Sequence, residues 1–504
     1  MVMKKFLVII SVICLISMML SLNVFASTDP SSDLPKPSSD TVIRVTAEKH
    51  NGDVVLITDK NNFADGWNAA IKLAEKQNEM SNKDYSRVIV DLYANWTAGP
   101  DGEFCNSGDG FNWDAIYFPE NVKVTLNLNG HTIDRAIASD TWQYNGEVMY
   151  IDADADVIIN NGTITGGYSC NGAGGIHIND NANVILNDVN VIGNKVEDDD
   201  GAGIAIYDGA KLIMNGGSIS NNSIDSTYKL ADDFNFKAAG GGFYAEDSEV
   251  VLNNVKIENN QALVDDIKGI AFSSKNSDIT LNNCTVTGNG VPNAKKNHGL
   301  GISIIMSRNS NISFINTTFT NNGGNIVEGE DMIDGTVLMR AKDSYIYMDS
   351  CTATSNIGSY LFSLEDVRVN INNSEFVDNN SYVLIAGFKR GEESSFTNCK
   401  FNNNDLKTWK EKPFFFGAPV VFYDCDMGDS KYIYAKEYAK FITTSNDDEP
   451  KSENLMATMI GNGSLSVIIS MVALAIAISS VTATVTYNKK IKLSYVNKDS
   501  DNTK

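Results

Sequence analysis

Apolar residues two apart, a polar pair, then two more apolar residues two apart: this block recurs along most of the chain. In one copy Val184/Leu186 and Val189/Val191 flank Asn187-Asp188, and in another Ile279/Leu281 and Cys284/Val286 flank Asn282-Asn283. Three residues beyond each block stands an asparagine. Aligned on Asn194, Asn222, Asn260, Asn289, Asn322, Asn356, Asn379 and Asn404, the blocks fall into columns. Three positions before these asparagines come Val191, Ile219, Ile257, Val286, Phe319, Ala353, Phe376 and Phe401. Eight before come Leu186, Met214, Leu252, Leu281, Phe314, Met348, Ile371 and Phe396, and ten before the column stays apolar except at Ser394. Period-two alternation puts each apolar pair on one face of a strand, and the polar pair predicts a bend between two short strands.

Successive asparagines lie between 23 residues apart (Asn356 to Asn379) and 38 apart (Asn222 to Asn260). The apolar columns continue outward through Leu126, Leu128 and Ile133, through Val157, Ile159 and Ile164, and through Val420, Phe422 and Met427. That predicts about eleven coils of a solenoid. One coil is too short to bury its own apolar face. Stacking coils at ~4.8 Å makes a continuous core and pairs the backbone groups of all but the end coils. The expected fold is all-β, with uneven insertions leaving as loops at the turns. The aligned asparagine amides are expected to bond one another up the column, each bond adding about 0.5–1.5 kcal/mol net.

Gly-rich starts (172–176, 201–204 and 240–243) pair with Phe-x-x-Asn endings at Phe319/Asn322, Phe376/Asn379 and Phe401/Asn404. This combination resembles the repeats of polymorphic outer-membrane, adhesin-like proteins, whose fold is similar to that of pectate lyases. The resemblance covers about residues 120–430. It implies a right-handed parallel β-helix, the handedness coming from the resemblance alone, and it implies ligand or cell-surface binding. Autotransporters of that type end in a membrane barrel, whereas the C-terminal part here has no alternating ten-residue strands.

The segments outside the repeats predict an address. Residues 1–26 read as a signal peptide: Lys4-Lys5, an apolar run, then Val24-Phe25-Ala26. Residues 27–40 read as a disordered Pro/Ser-rich linker. Residues 41–95 carry N-terminal strands and a helix opening at Phe63, capped by Asn62 with Asp65 in its first turn. Phe63, Trp67, Ala70, Ile71 and Ala74 share one face of it, the pattern expected of a helix that covers an open solenoid end. The parallel β-helix is expected over 96–445 and a stalk over 446–464. Residues 465–487 are uncharged and long enough to span a bilayer, and Lys489, Lys490 and Lys492 open a cytoplasmic tail over 488–504. The expectation is a single-pass membrane protein with its ectodomain outside the cell and its C-terminus in the cytoplasm.

Composition adds two constraints. The net charge of −23 argues against nucleic acid and other polyanions as partners, leaving extracellular glycans or surface proteins. Cys284, Cys351, Cys399 and Cys425 share an inward column otherwise filled by small residues, which reads as core packing. Cys399 and Cys425 lie on adjacent coils, so a bridge between them is the competing reading, as is one between Cys105 and Cys170.

Catalytic signatures are sparse. Hydrolases of this general shape need clustered aspartates, because one carboxyl protonates the leaving oxygen while another activates water. Asn297-His298-Gly299 lacks the neighbouring aspartate and basic elements, and His298 reads as a loop histidine. His131 reads as a satisfied structural histidine; His50 and His177 have no neighbours at metal-ligand spacing. Acidic pairs recur in the insertions after successive coils: Asp199-Asp200, Asp232-Asp233 and Asp265-Asp266. Loops leaving one side of a solenoid stack, so these six carboxylates are the candidate metal site, with calcium the cofactor implied. No catalytic residue is assigned. Two functions remain: adhesin-like binding at the cell surface, and an extracellular lyase or glycoside hydrolase acting on acidic polysaccharide.

Overall fold

The computed structural model describes residues 34–79, 84–98, 116–137, 146–197, 199–225, 239–262, 268–291, 303–324, 337–388, 394–404, 415–416, 420–428 and 439–443. Short strands stack in parallel along almost all of it, forming two long sheets consistent with a β-helix solenoid. Three long ladders run up the stack, and a fourth of two- and three-residue strands runs from Tyr168–Ser169 to Gly323–Gly324. Ladder one takes a strand from every coil, beginning at Lys123–Asn127 and passing through ten in-register pairings to Val420–Tyr423. Its eleven rungs match the coil number read from the sequence. Ladder two begins at Trp96–Thr97, passes through Thr132–Asp134 and carries Ile133, Ile164, Val191, Ile219, Ile257 and Val286 in one inward column. Ladder three begins at Ile116–Phe118, pairs with Met149–Ile151 and Ile176–Ile178, and continues to Asn380–Phe388.

The inward columns are buried along the stack, including Ser394, the one polar break, and become partly exposed at Met427 on the last coil. Toward the C-terminal end the filling becomes aromatic: Phe376 and Phe401 stack at 5.1 Å, Phe396 and Phe422 at 5.2 Å. Stacked rings at this spacing add to area burial.

Each coil turns at three corners, and each corner needs a left-handed residue. Asn283 (φ 54°) takes the bend between ladders one and two, Asn276 (φ 51°) the entry to ladder one, and Asn259 (φ 56°) the exit from ladder two. Asparagine, aspartate and glycine hold nearly all such positions because their side chains, or lack of one, tolerate this conformation. The abundance of asparagine therefore has a backbone cause as well as a side-chain one.

The eight aligned asparagines do stack. Asn222 donates its backbone N–H (3.0 Å) and its Nδ2 (3.1 Å) to Oδ1 of Asn260 on the next coil, while Nδ2 also donates to the carbonyl of Val191 (3.0 Å). The same triple contact repeats up to Asn379, which meets Asn404 at 3.0 Å. All eight are buried. A buried amide thus accepts from the chain where it turns, a group that no strand partner serves. The Gly-rich starts pass directly over this column. A Cβ on Gly203 would lie 2.3 Å from the carbonyl of Gly242 and 2.9 Å from Nδ2 of Asn222.

A second amide ladder, not anticipated from the sequence, runs along ladder one. Asn160, Asn187, Asn215, Asn253 and Asn282 each donate Nδ2 to the asparagine below at 2.8–2.9 Å, starting from Asn127. The cysteine column is also more than filler. The thiols of Cys284 and Cys351 donate to carbonyls of the coil below, as the hydroxyl of Thr317 does. Cys425 Sγ accepts from the backbone N–H of Cys399 at 3.4 Å, and both thiols are free.

At the N-terminal side β1 (Ile43–Lys49) and β2 (Val54–Lys60) form an antiparallel hairpin, α1 covers Phe63–Glu79, and β3 spans Tyr85–Leu92. Asn62 caps α1, its Oδ1 accepting the N–H of Asp65 at 2.8 Å. β3 pairs antiparallel with β1 and parallel with the first rung of ladder one, joining hairpin to stack. Trp67 of α1 is 2% exposed and meets Phe118 of ladder three edge-on at 4.9 Å. Among the described residues no helix is long and apolar enough to cross a membrane, and residues 1–26 and 465–487 lie outside them.

Candidate functional site

Ladder three turns its alternate residues outward, and near its start these are aromatic. Tyr117, Tyr150 and His177 occupy one register column, which continues through Ala205 to Tyr244. Ala205 is too small to continue the row. Tyr207, two residues on, fills its place: ring centroids lie 5.9 Å apart for Tyr117–Tyr150, 4.7 Å for Tyr150–His177, 5.1 Å for His177–Tyr207 and 5.7 Å for Tyr207–Tyr244. Tyr244 is buried, and the other four keep partial exposure.

Acceptors line the row. Tyr117 donates to Asp152 at 2.6 Å and Tyr244 to Glu246 at 2.8 Å, while Asn179 donates to the Tyr150 hydroxyl at 3.0 Å. Burial and these carboxylates push the phenols up, Tyr150 to about 12, so all stay protonated donors. His177 moves the other way: burial lowers it to about 4 and leaves a neutral imidazole. Its Nδ1 is enclosed and has no hydrogen-bond partner among the described residues. Gly172 lies against that nitrogen with φ +89°, and a Cβ there would come within 2.2 Å of it. His177 has no metal-ligand neighbours in the sequence, and its role is to carry the row across one coil.

Of the six aspartates expected to gather, Asp199 and Asp200 are described; Asp232, Asp233, Asp265 and Asp266 lie outside the described residues. Both described carboxylates are engaged locally. Asp199 accepts the N–H of Gly172 at 2.7 Å and that of Asp200 at 2.8 Å, and Asp200 accepts the N–H of Ala239 at 2.8 Å. The pair therefore ties together the chain entering three successive coils. Burial raises Asp199; burial first, and Asp199 second, push Asp200 well up. Among the described residues no three His, Cys, Asp or Glu side chains are grouped to hold a metal. His131 is partly buried and its Nδ1 lies 3.3 Å from Oδ1 of Asn95; His298 lies outside the described residues.

Beyond Tyr244 the same face changes character. The column that holds Tyr207 continues in register through Glu246, Lys275, Arg308, Lys342 and Glu365. Lys275 pairs with Glu246, and Lys342 with Glu365 at 2.7 Å. Comparison with protein-family models, with curated proteins and with solved structures gave no match.

Proposed function

We propose that this protein is a membrane-anchored, surface-exposed, adhesin-like rod with a right-handed β-helix of pectate-lyase type, and that the outer face of ladder three binds extracellular glycan. The observation that carries this reading is the row Tyr117–Tyr150–His177–Tyr207–Tyr244 with its flanking carboxylates. Aromatic rings beside phenol hydroxyls and carboxylates suit a ligand with apolar ring faces and many hydroxyls. A row set at strand spacing suits one that repeats. In this reading α1 and the hairpin close the N-terminal end, residues 1–26 direct export, and 465–487 anchor the rod. Calcium bound by the acidic loops remains part of the proposal, through Asp232, Asp233, Asp265 and Asp266.

A second reading, polysaccharide cleavage, is favoured by one arrangement: Asp200 lies beside Asp199, and burial first and Asp199 second raise its proton affinity, the direction a general acid needs.

One experiment separates them. Full-length protein is incubated with immobilised neutral and acidic glycans, with and without calcium, and both retention and released reducing or unsaturated ends are measured. Adhesin-like binding gives retention without product, and Tyr150→Ala lowers retention at least tenfold. Product formation that Asp200→Asn abolishes overturns it in favour of the enzyme. No retention and no product sinks both.

A further inference from the structure

The charged column beyond the aromatic row has an arrangement that folding alone does not favour. Lys275, Arg308 and Lys342 occupy directly paired positions on three adjacent parallel strands. Strand spacing places neighbouring members about 4.8 Å apart at the backbone, and like charges set directly opposite one another are destabilising. Arg340 adds a fourth cation on the strand of Lys342, two residues earlier and on the same outward side. On ladder one Lys211 stands opposite Glu249 and is ion-paired with it at 3.0 Å, while Glu249 stands opposite Asp278 on the other side, a like-charge pair of acids rather than cations.

Among the described residues, the carboxylates ion-paired to this group sit at its two ends. Glu246 pairs with Lys275 below, and Glu365 with Lys342 above. Arg308, in the middle, is partly exposed and makes no side-chain hydrogen bond or ion pair with any described residue. A guanidinium presents five donors in a planar fork that matches an oxyanion two bonds at a time. In a chain with 40 basic and 63 acidic residues, a run of cations with an uncommitted arginine at its centre is a local reversal of the overall charge. The net charge of −23 argues against polyanionic partners at long range, but salt screens that field beyond about 8 Å at physiological ionic strength. Contact distances are governed by the local column.

We propose that Lys275, Arg308, Arg340 and Lys342 form a subsite for the acid groups of a glycan chain, carboxylate or sulfate, with Arg308 as its central contact. The inference rests on the glycan-binding reading above and names the class of glycan. The occupant is argued from charge complementarity and from continuity: the column is the direct upward extension of the one that holds Tyr207. A chain lying along ladder three meets phenol hydroxyls first and cations next. Neutral sugar units suit the first stretch and acidic units the second.

Full-length protein in detergent is tested for binding to three immobilised chains: hyaluronate as the carboxylated probe, dextran sulfate as the sulfated probe, and neutral dextran. The expected result is binding to one or both acidic chains that weakens at least tenfold from 50 to 500 mM NaCl. Arg308→Gln weakens it a further five- to thirtyfold, and Arg308→Lys retains more than Arg308→Gln. The melting temperatures of both variants stay within about 2 °C of the parent, since the side chain is partly exposed and holds no structural contact. Which acidic probe is preferred tells carboxylate from sulfate. Acidic binding that Arg308→Gln leaves unchanged overturns the subsite. Retention on neutral dextran alone also overturns it while leaving the broader glycan reading intact, whereas retention on none of the three removes both.

Discussion

Asn260 gives two hydrogens to a single acceptor: its backbone N–H and its Nδ2 both reach Oδ1 of Asn289, each at 3.0 Å. The oxygen of one coil thereby serves the backbone of the coil beneath it. The contact is buried, so water cannot replace it when it is lost.

Replacing Asn289 with alanine therefore strands the Asn260 N–H and removes the donor to the carbonyl of Ile257. The expected cost is about 2–4 kcal/mol, read as a shift in the urea midpoint. Asn282→Ala on the outer amide ladder breaks bonds between side chains only, so its expected cost is about 1 kcal/mol. Equal losses for the two variants would show that the corner amides do nothing special for the backbone.

The corners make a separate demand. Asn283 has φ 54°, and a β-branched residue there clashes with its own carbonyl. Asn283→Val is expected to destabilise by about 1–2 kcal/mol or more, although the position is exposed. Ser350 occupies the equivalent corner two coils on, at φ 56°, without an amide to support it. Ser350→Asn is expected to raise stability by a few tenths to about 1 kcal/mol. Thermal unfolding of the two variants decides it: opposite signs are required, and a neutral Asn283→Val removes the argument.

The corner residues explain why the stack was readable in the sequence and the outer face was not. Leu186, Val191 and Asn194 recur because each coil must present the same apolar face and the same amide to its neighbours, so periodicity reports them directly. Asn187 and Asn215 repeat as well, but a polar residue beside a bend reads equally well as a solvated turn. Nothing in the sequence marked them as a second ladder. Tyr117, Tyr150, His177 and Tyr207 obey no common spacing. Insertions of different length precede each strand of ladder three, and Tyr207 joins the row from a position two residues off register. The cation column was hidden for the same reason and by the net charge, which averages away a local reversal. Asp199 and Asp200 were singled out as acidic, yet their hydrogen bonds to Gly172 and Ala239 depend on how successive coils stack.

His177 sets an acid limit on stability. Its folded value, lowered by burial to about 4, lies below the 6.5 of an exposed histidine. Between these values the unfolded chain takes up a proton that the folded chain refuses, so stability is lost as pH falls through this window. The difference amounts to about 2 kcal/mol between pH 7 and pH 5. Asp199 and Asp200, raised by burial, act in the opposite sense, since they favour the folded state increasingly as pH falls toward the ordinary carboxylate range. Replacing His177 with phenylalanine keeps a ring between Tyr150 and Tyr207 and removes the titration together with the unpartnered Nδ1. The variant should lie close to the parent at pH 7 and gain about 2 kcal/mol on it by pH 5, measured as urea midpoints at both pH values. Parallel pH profiles for parent and variant would mean that the imidazole titrates freely in the folded protein and that the row is open to water at His177.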